Sequence, residues 1–368
     1  MTHQTPTVGS GSTEAKLERL HAQLADAVAT LVTGDDWVRA LEFAARFRSR
    51  SFNNTMLIWM QHLAAFEQGR AAEPTPTYVA GFRQWLALGR SVDRGQAGYM
   101  IFAPVHARFA SPTPQVAESW RRLAPREIPR RNDEVRTRMV GVRPAYVWDA
   151  SQTSGVPIPQ LPTPHLLAGE APEGLWDGLA TLVRGHGYTL RSVESDRDLA
   201  GANGMTDYLT RSVAVRGDMD PAARAKTLAH ELAHLMLHGP DNADAVLHRG
   251  IGEVEAESVA LMIGAAHGLD TSGYTIPYVA TWATSVDGKT PVEVVQATGE
   301  RVRTAAVTIL TELPTMQVGS GDPPGLTREA QRGALQPTVA GPVERFDDVP
   351  FARVRRSFAQ SAISARDL

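Results

Sequence analysis

The sequence predicts an α+β protein of two domains: an N-terminal α+β domain, a mainly helical second domain, and a disordered C-terminal tail. Three observations carry this. Apolar residues recur at three- and four-residue spacing at the front of the chain and again beyond residue 172, the period of an amphipathic helix. Between residues 78 and 105, short apolar runs alternate with glycine turns, which reads as strands. After Pro314 the composition shifts to Gly, Pro, Ser and Arg, too polar to bury a core. The 368 residues exceed one ordinary domain. With 43% hydrophobic and 21% charged residues, most of the chain belongs among folded proteins.

Leu17, Leu20, Leu24, Val28 and Leu31 mark a first helix over 13–31. A second, over 35–47, carries Trp37, Leu41, Phe43, Ala44 and Phe47. A third starts after a cap at Ser51 or Asn53 and carries Met56, Leu57, Trp59 and Met60. Short elements with glycine turns follow at 78–98, and 99–105 reads as a strand closed by Pro104. Residues 106–135, rich in Pro and Arg, read as a mobile insertion, and a strand resumes at 143–149. The N-terminal domain therefore spans 13–150. A linker at 151–170 holds Pro157, Pro159, Pro162 and Pro164. The second domain, 171–314, opens with a helix at 172–186 and strands at 188–193 and 207–215. Asp220 caps a long helix with Pro221 in its first turn, which ends before Gly239-Pro240. Further helices are expected at 252–267 and 291–313, and the tail at 315–368.

The chain has no cysteine, which excludes disulfides and thiolate metal sites and leaves imidazole and carboxylate as metal ligands. Residues 1–13 lack the apolar core of a secretory signal, and no apolar run reaches bilayer length. A cytoplasmic location without a membrane is the expectation. The net charge of −3 hides an asymmetry: residues 1–150 carry 19 Lys and Arg against 14 Asp and Glu. A basic front half points to an anionic partner.

The chemistry concentrates at His230-Glu231-Leu232-Ala233-His234. On a helix, four residues turn through about 400°, so both imidazoles share one face. Neutral imidazole suits zinc, and a catalytic zinc takes three protein ligands and one open position. Glu231, offset by about 100°, is placed to act as a base rather than a ligand. In the helix at 252–267, Glu253 and Glu257 share a face; Glu253 is the expected third ligand, and Glu257 the acceptor that orients a ligand histidine. Glu255 reads as a solvated residue. His238 continues the histidine stripe but is expected to bond free helix-end carbonyls. His248 and Tyr278 are candidate donors to a tetrahedral intermediate. Peptide hydrolysis is the expected reaction class, with zinc as cofactor and manganese or cobalt as alternatives.

These residues resemble the ArdC-type antirestriction proteins, whose C-terminal part is a zincin-like metallopeptidase domain related to the ImmA/IrrE group. The resemblance spans residues 12–313 in outline. At the front it rests on Ser51-Phe-Asn-Asn-Thr-Met-Leu-Ile58, Val79-Ala-Gly-Phe-Arg-Gln-Trp85, Leu88-Gly-Arg90, Ile101-Phe-Ala-Pro-Val105 and Val147-Trp-Asp-Ala-Ser-Gln-Thr153. At the back it rests on the HELAH helix, residues 253–260 and Tyr278-Val-Ala-Thr-Trp282. It implies an N-terminal domain that binds single-stranded DNA, shielding of incoming DNA from restriction, and a protein of mobile elements or their hosts.

Arg83, Arg90, Arg94 and the arginines between 121 and 143 could track a phosphate backbone. Phe52, Trp59, Phe82, Trp85 and Tyr99 could offer stacking faces, with Trp85 and Trp59 the leading candidates. Only one or two are expected to stack, because aromatics three apart on a helix more often pack. Two further readings stand beside this one: a DNA-protecting protein with a structural or vestigial metal site, and an ImmA-type regulatory protease that cleaves a repressor. The protein substrate is unknown in each.

Overall fold

The computed structural model describes residues 10–159, 169–199, 201–239, 249–271, 274, 276–277, 279–284, 286 and 288–326. Three helices open it: α1 (Ser10–Ala29), α2 (Gly34–Arg46) and α3 (Phe52–Glu67). Each forms where the apolar spacing predicts it. Leu20, Leu24 and Val28 turn one stripe of α1 into the core. A capping box starts α2: the Thr33 hydroxyl accepts from Asp36 N at 3.1 Å, and the Asp36 carboxylate accepts from Thr33 N at 2.8 Å. Ser51, one of the two expected caps, starts α3 by accepting from Asn54 N.

Next come β1 (Val79–Ala80), α4 (Phe82–Ala87), β2 (Arg90–Val92), β3 (Tyr99–Ser111), β4 (Arg121–Arg122), β5 (Glu134–Asp149) and β6 (Thr153–Gly155). An antiparallel sheet runs β1-β5-β3-β4, and β2 pairs with β6. The expected insertion at 106–135 is instead largely a β arm: β3 continues past Pro104 to Ser111, paired with β5 from Tyr99↔Val147 to Ser111↔Glu134. Pro104 does not stop β3, for a reason visible in its neighbours. Met100 N and Phe102 N point away from β5, to Gln61 Oε1 at 2.8 Å and Asn54 Oδ1 at 2.9 Å. Position 104 shares that direction, so no ladder bond is missing there.

The second half holds α5 (Leu175–Gly185), β7 (Thr189–Val193), β8 (Gly204–Asp207), β9 (Ser212–Arg216), α6 (Pro221–Leu237), α7 (Arg249–Ala266), α8 (Val279–Ala283) and α9 (Pro291–Glu312). Its sheet is ordered β7-β9-β8, with β7 parallel and β8 antiparallel to β9. The single strand expected at 207–215 is a hairpin, because Asp207 Oδ1 accepts from Leu209 N and Thr210 N and turns the chain.

The two halves share one core. Trp37 of α2 is fully buried and donates to Ser258 Oγ of α7 at 2.9 Å, with Trp282 and Phe52 rings 5.3 and 5.6 Å away. Phe52 N donates to Glu300 of α9 at 2.8 Å. The expected linker begins with β6, and its residues 160–168 lie outside the described residues. Of the expected tail, 315–326 pack onto the front half: Val79 N donates to Gly321 O at 2.8 Å, and Arg50 pairs with Asp322 at 2.8 Å. Residues 327–368 lie outside the described set. Among the described residues no helix is long and apolar enough to cross a membrane.

Candidate metal centre

Asp220 starts α6 by accepting from Ala223 N at 2.8 Å, with Pro221 in the first turn. The helix carries His230 and His234 to a cleft of about 940 Å³ that Glu231, Glu253, Glu257, Thr206 and Tyr208 also line. Across it, α7 presents Glu253. The two Nε2 atoms lie 3.0 Å apart. Glu253 oxygens lie 3.4 Å from His230 Nε2 and 3.6 Å from His234 Nε2. Tetrahedral ligands with bonds of about 2.0–2.1 Å sit about 3.3–3.4 Å from one another, so these three residues could hold a metal ion after small adjustments.

The outer contacts agree. His230 Nδ1 faces Glu257 Oε2 at 3.2 Å, and Glu257 Oε1 pairs with Lys226 at 2.7 Å. His234 Nδ1 faces His238 Nδ1 at 3.0 Å. Without a cation the rings share protons across these contacts and donate to Glu253; with each Nδ1 hydrogen directed outward, neutral rings would instead turn two lone pairs toward each other and toward that carboxylate. Such an arrangement calls for a cation between them, and His230, His234 and Glu253 are the residues that could hold it.

Burial opposes charging of His230, but Glu253 and Glu257 outweigh it and push its pKa up to about 9. Hydrogen bonds from both histidines hold Glu253 far below the usual carboxylate range. Glu231 is buried, and burial raises its pKa against the opposing Thr206 hydroxyl, which donates to its Oε2 at 2.7 Å. Gly204 is required beside it: a Cβ there would stand 2.7 Å from Glu231 Oε1. Burial likewise pushes Tyr208 up to about 12; its hydroxyl donates to His234 O at 3.0 Å.

Two expectations are corrected. Glu255 is not solvated: it is buried, accepting from His238 Nε2 at 2.9 Å and from Arg301. His238 bonds His234 and Glu255 instead of helix-end carbonyls. The physical reason is that α7 is enclosed by α2, α6 and α9, so a second face of it is interior. Sequence reasoning missed Thr206, Lys226, Tyr208 and Arg301, which have no local motif; the repeat of histidine at 230, 234 and 238 was the one signal for His238. Tyr278 and His248 lie outside the described residues.

In the front half, Arg83 and Arg94 are exposed. Arg90 is committed to the fold, donating to Thr153 Oγ1, Thr153 O and Val156 O at 2.9, 2.6 and 2.6 Å. Trp85 is fully buried and donates to Trp148 O at 3.0 Å, so it has no face for a base. Phe52 and Tyr99 are equally buried. Trp59 stacks on Phe43 at 5.3 Å and packs against the core. Phe82 is exposed. The arginines of 121–143 belong to the β arm and its connecting loop. There Arg136 and Arg138 lie 4.6 and 5.3 Å over the Trp120 ring, and Phe109 sits in register between Arg122 and Arg136. Arg121 is tied within the arm to Glu127 and Asp133.

Fold and site define a class: a basic α+β module fused to a peptidase-like domain with a histidine–carboxylate donor set. Residues 16–148 match the N-terminal domain of anti-restriction factor ArdC, and residues 191–274 match the IrrE N-terminal-like domain. The chain belongs to the ArdC-type antirestriction proteins. The metal-free crystal structure of the antirestriction ArdC protein from the R388 plasmid is 19% identical, with a TM-score of 0.43 over 72% of this chain and 84% of that one. The Mn(II)-bound structure is 18% identical, with a TM-score of 0.40 over 72% and 88%. No curated protein matches the chain.

Proposed function

We propose that the protein binds single-stranded DNA through its front half and hydrolyses peptide bonds at the α6–α7 site, both in the service of antirestriction. The observation that supports the hydrolase reading best is the convergence of His230 Nε2, His234 Nε2 and the Glu253 carboxylate within 3.6 Å of one another. Zinc suits this donor set, with manganese or cobalt as alternatives, and supplies Lewis acidity that polarises a carbonyl and acidifies water. Glu231 takes the proton of the attacking water and returns it to the leaving nitrogen. Thr206 fixes the rotamer in which Glu231 does so, and burial strengthens it as a base. Glu257 holds the ring of His230.

For DNA, the Trp120 face of the β arm is the best-supported surface. It interleaves aromatic rings with Arg122, Arg136 and Arg138, a pattern that serves both base stacking and phosphate contact. Exposed Arg83 and Arg94 are further candidates for phosphate contact, whereas Trp85, Trp59 and Arg90 are committed to the fold.

Glu231→Gln tests the hydrolase reading. Expected is one bound metal per chain, as in the parent protein, with turnover of a peptide library lowered about 10²–10⁴-fold. His234→Ala should lose the metal. If Glu231→Gln protects incoming unmodified DNA from restriction as well as the parent does, peptide hydrolysis has no part in protection and the shield reading replaces this one.

A further inference from the structure

We infer that His238, Glu255 and Arg301 form a positioning relay that selects the metal-competent tautomer of His234. The inference rests on the metal-site reading above and concerns residues that carry no ligand role in it. The three groups make one connected line from the metal side outward. His234 Nδ1 lies 3.0 Å from His238 Nδ1, His238 Nε2 lies 2.9 Å from Glu255 Oε2, and Arg301 Nε donates to Glu255 Oε1 at 2.7 Å. His238 and Glu255 are nearly sealed from solvent, with side chains 9% and 6% exposed.

With His234 and His238 both neutral, one arrangement of hydrogens satisfies the contacts on the outer side of the site. Glu255, paired with Arg301, is an acceptor, so His238 must carry its hydrogen on Nε2. Its Nδ1 is then a lone pair, which requires His234 to donate from Nδ1. That leaves His234 Nε2 bare, facing His230 Nε2 and Glu253. The reverse direction fails at both ends. A hydrogen on His234 Nε2 would point into the ligand cage, and a bare His238 Nε2 would face a carboxylate. A carboxylate two bonds outward thus decides which nitrogen of His234 is free.

The two imidazoles are held differently. His230 meets Glu257 directly, whereas His234 meets its carboxylate through a second imidazole. Glu255 is a buried carboxylate paired with the half-exposed Arg301, and such a pair is weak evidence for stability alone. Its alignment on His234 gives it a purpose that an apolar pair of the same size would not serve.

The test is zinc titration of the metal-free full-length chain against a competing chelator, for the parent and for His238→Phe, Glu255→Gln, Arg301→Gln and His230→Ala. Expected is zinc affinity about 10–100-fold weaker in His238→Phe and Glu255→Gln. Arg301, whose side chain is 47% exposed, gives a variant that keeps its fold, and a loss of about tenfold is expected there. Nitrogen-15 spectra of the zinc-loaded parent should show His238 as the neutral Nε2–H tautomer. If zinc binds the parent and not His230→Ala, yet Arg301→Gln and His238→Phe stay within about twofold of the parent, the relay is wrong and the metal site stands. An Nδ1–H tautomer at His238 likewise overturns the relay. A parent chain that binds no zinc removes both.

Discussion

His62 and His267 are imidazoles sealed in the core, where burial disfavours their charged form. His62 accepts from the Tyr99 hydroxyl at 2.8 Å and donates to Glu73 O at 2.9 Å. His267 donates to Ile263 O and accepts from Thr315 Oγ1, both at 2.7 Å. Burial lowers the pKa of each below its ordinary 6.5. The unfolded chain therefore takes up protons first as pH falls. Their contribution to stability is complete above pH 6.5 and is lost as pH drops below it toward the folded values. The urea midpoint of the metal-free protein, taken relative to that of His267→Gln so that the opposing contribution of His230 cancels, should fall between pH 6.5 and about 5. A difference that holds constant across the range would contradict this. Gly204→Ala tests a tighter approach: its Cβ would stand 2.6 Å from Thr227 Cγ2 and 2.7 Å from Glu231 Oε1. A cost of about 1–3 kcal/mol in urea unfolding is expected, together with weaker turnover through a displaced Glu231.

Among the elements, α3 and β3 are joined in a way the family-like motif at 51–58 conceals. Asn54 gives and takes a hydrogen bond with the backbone of Phe102, and Gln61 does the same with Met100. Two amide side chains thereby replace a neighbouring strand along the edge of β3. Asn54→Ala or Gln61→Ala leaves a strand N–H and C=O without partners, and each should cost about 1–3 kcal/mol in urea unfolding. The β arm is a contrasting case. Residues 104–144 contribute nothing to the continuous core, so changes on the arm's face should leave stability nearly untouched. Trp120→Ala combined with Arg136→Ala and Arg138→Ala should weaken single-stranded DNA binding. The log–log salt dependence should also flatten, by about 0.7 for every phosphate that an arginine no longer neutralises. Filter binding over a salt series reads both, and an unchanged slope would remove the arm from the DNA surface. The helices were legible because their apolar periods are local. The arm was not, because Pro104 and the arginines carry loop statistics, and only the partner strand shows that position 104 needs no donor.

At the scale of the molecule, the described residues of both halves share one continuous hydrophobic core. The α7 helix, which carries Glu253, Glu255 and Glu257, is covered by α2 from the front half, with Trp37 and Ser258 hydrogen-bonded at the seam. Thermal unfolding of the whole chain should show a single transition by circular dichroism and tryptophan fluorescence alike. Residues 171–326 expressed alone would leave the α2-facing side of α7 bare and should bind a hydrophobic dye and melt without cooperativity; a sharp independent transition would contradict the shared core. The order of amino acids was enough to place the long helices of both halves, though not the short α4 and α8, and to put His230, Glu231 and His234 on one helix, because these depend on local spacing. It also pointed to Glu253 and Glu257, one turn apart on the next helix. Only the folded arrangement makes Glu255 and His238 interior, commits Trp85 and Arg90 to the fold, and brings residues 315–326 into it. Burial depends on which elements close over a residue, and that information lies in partners far away along the chain.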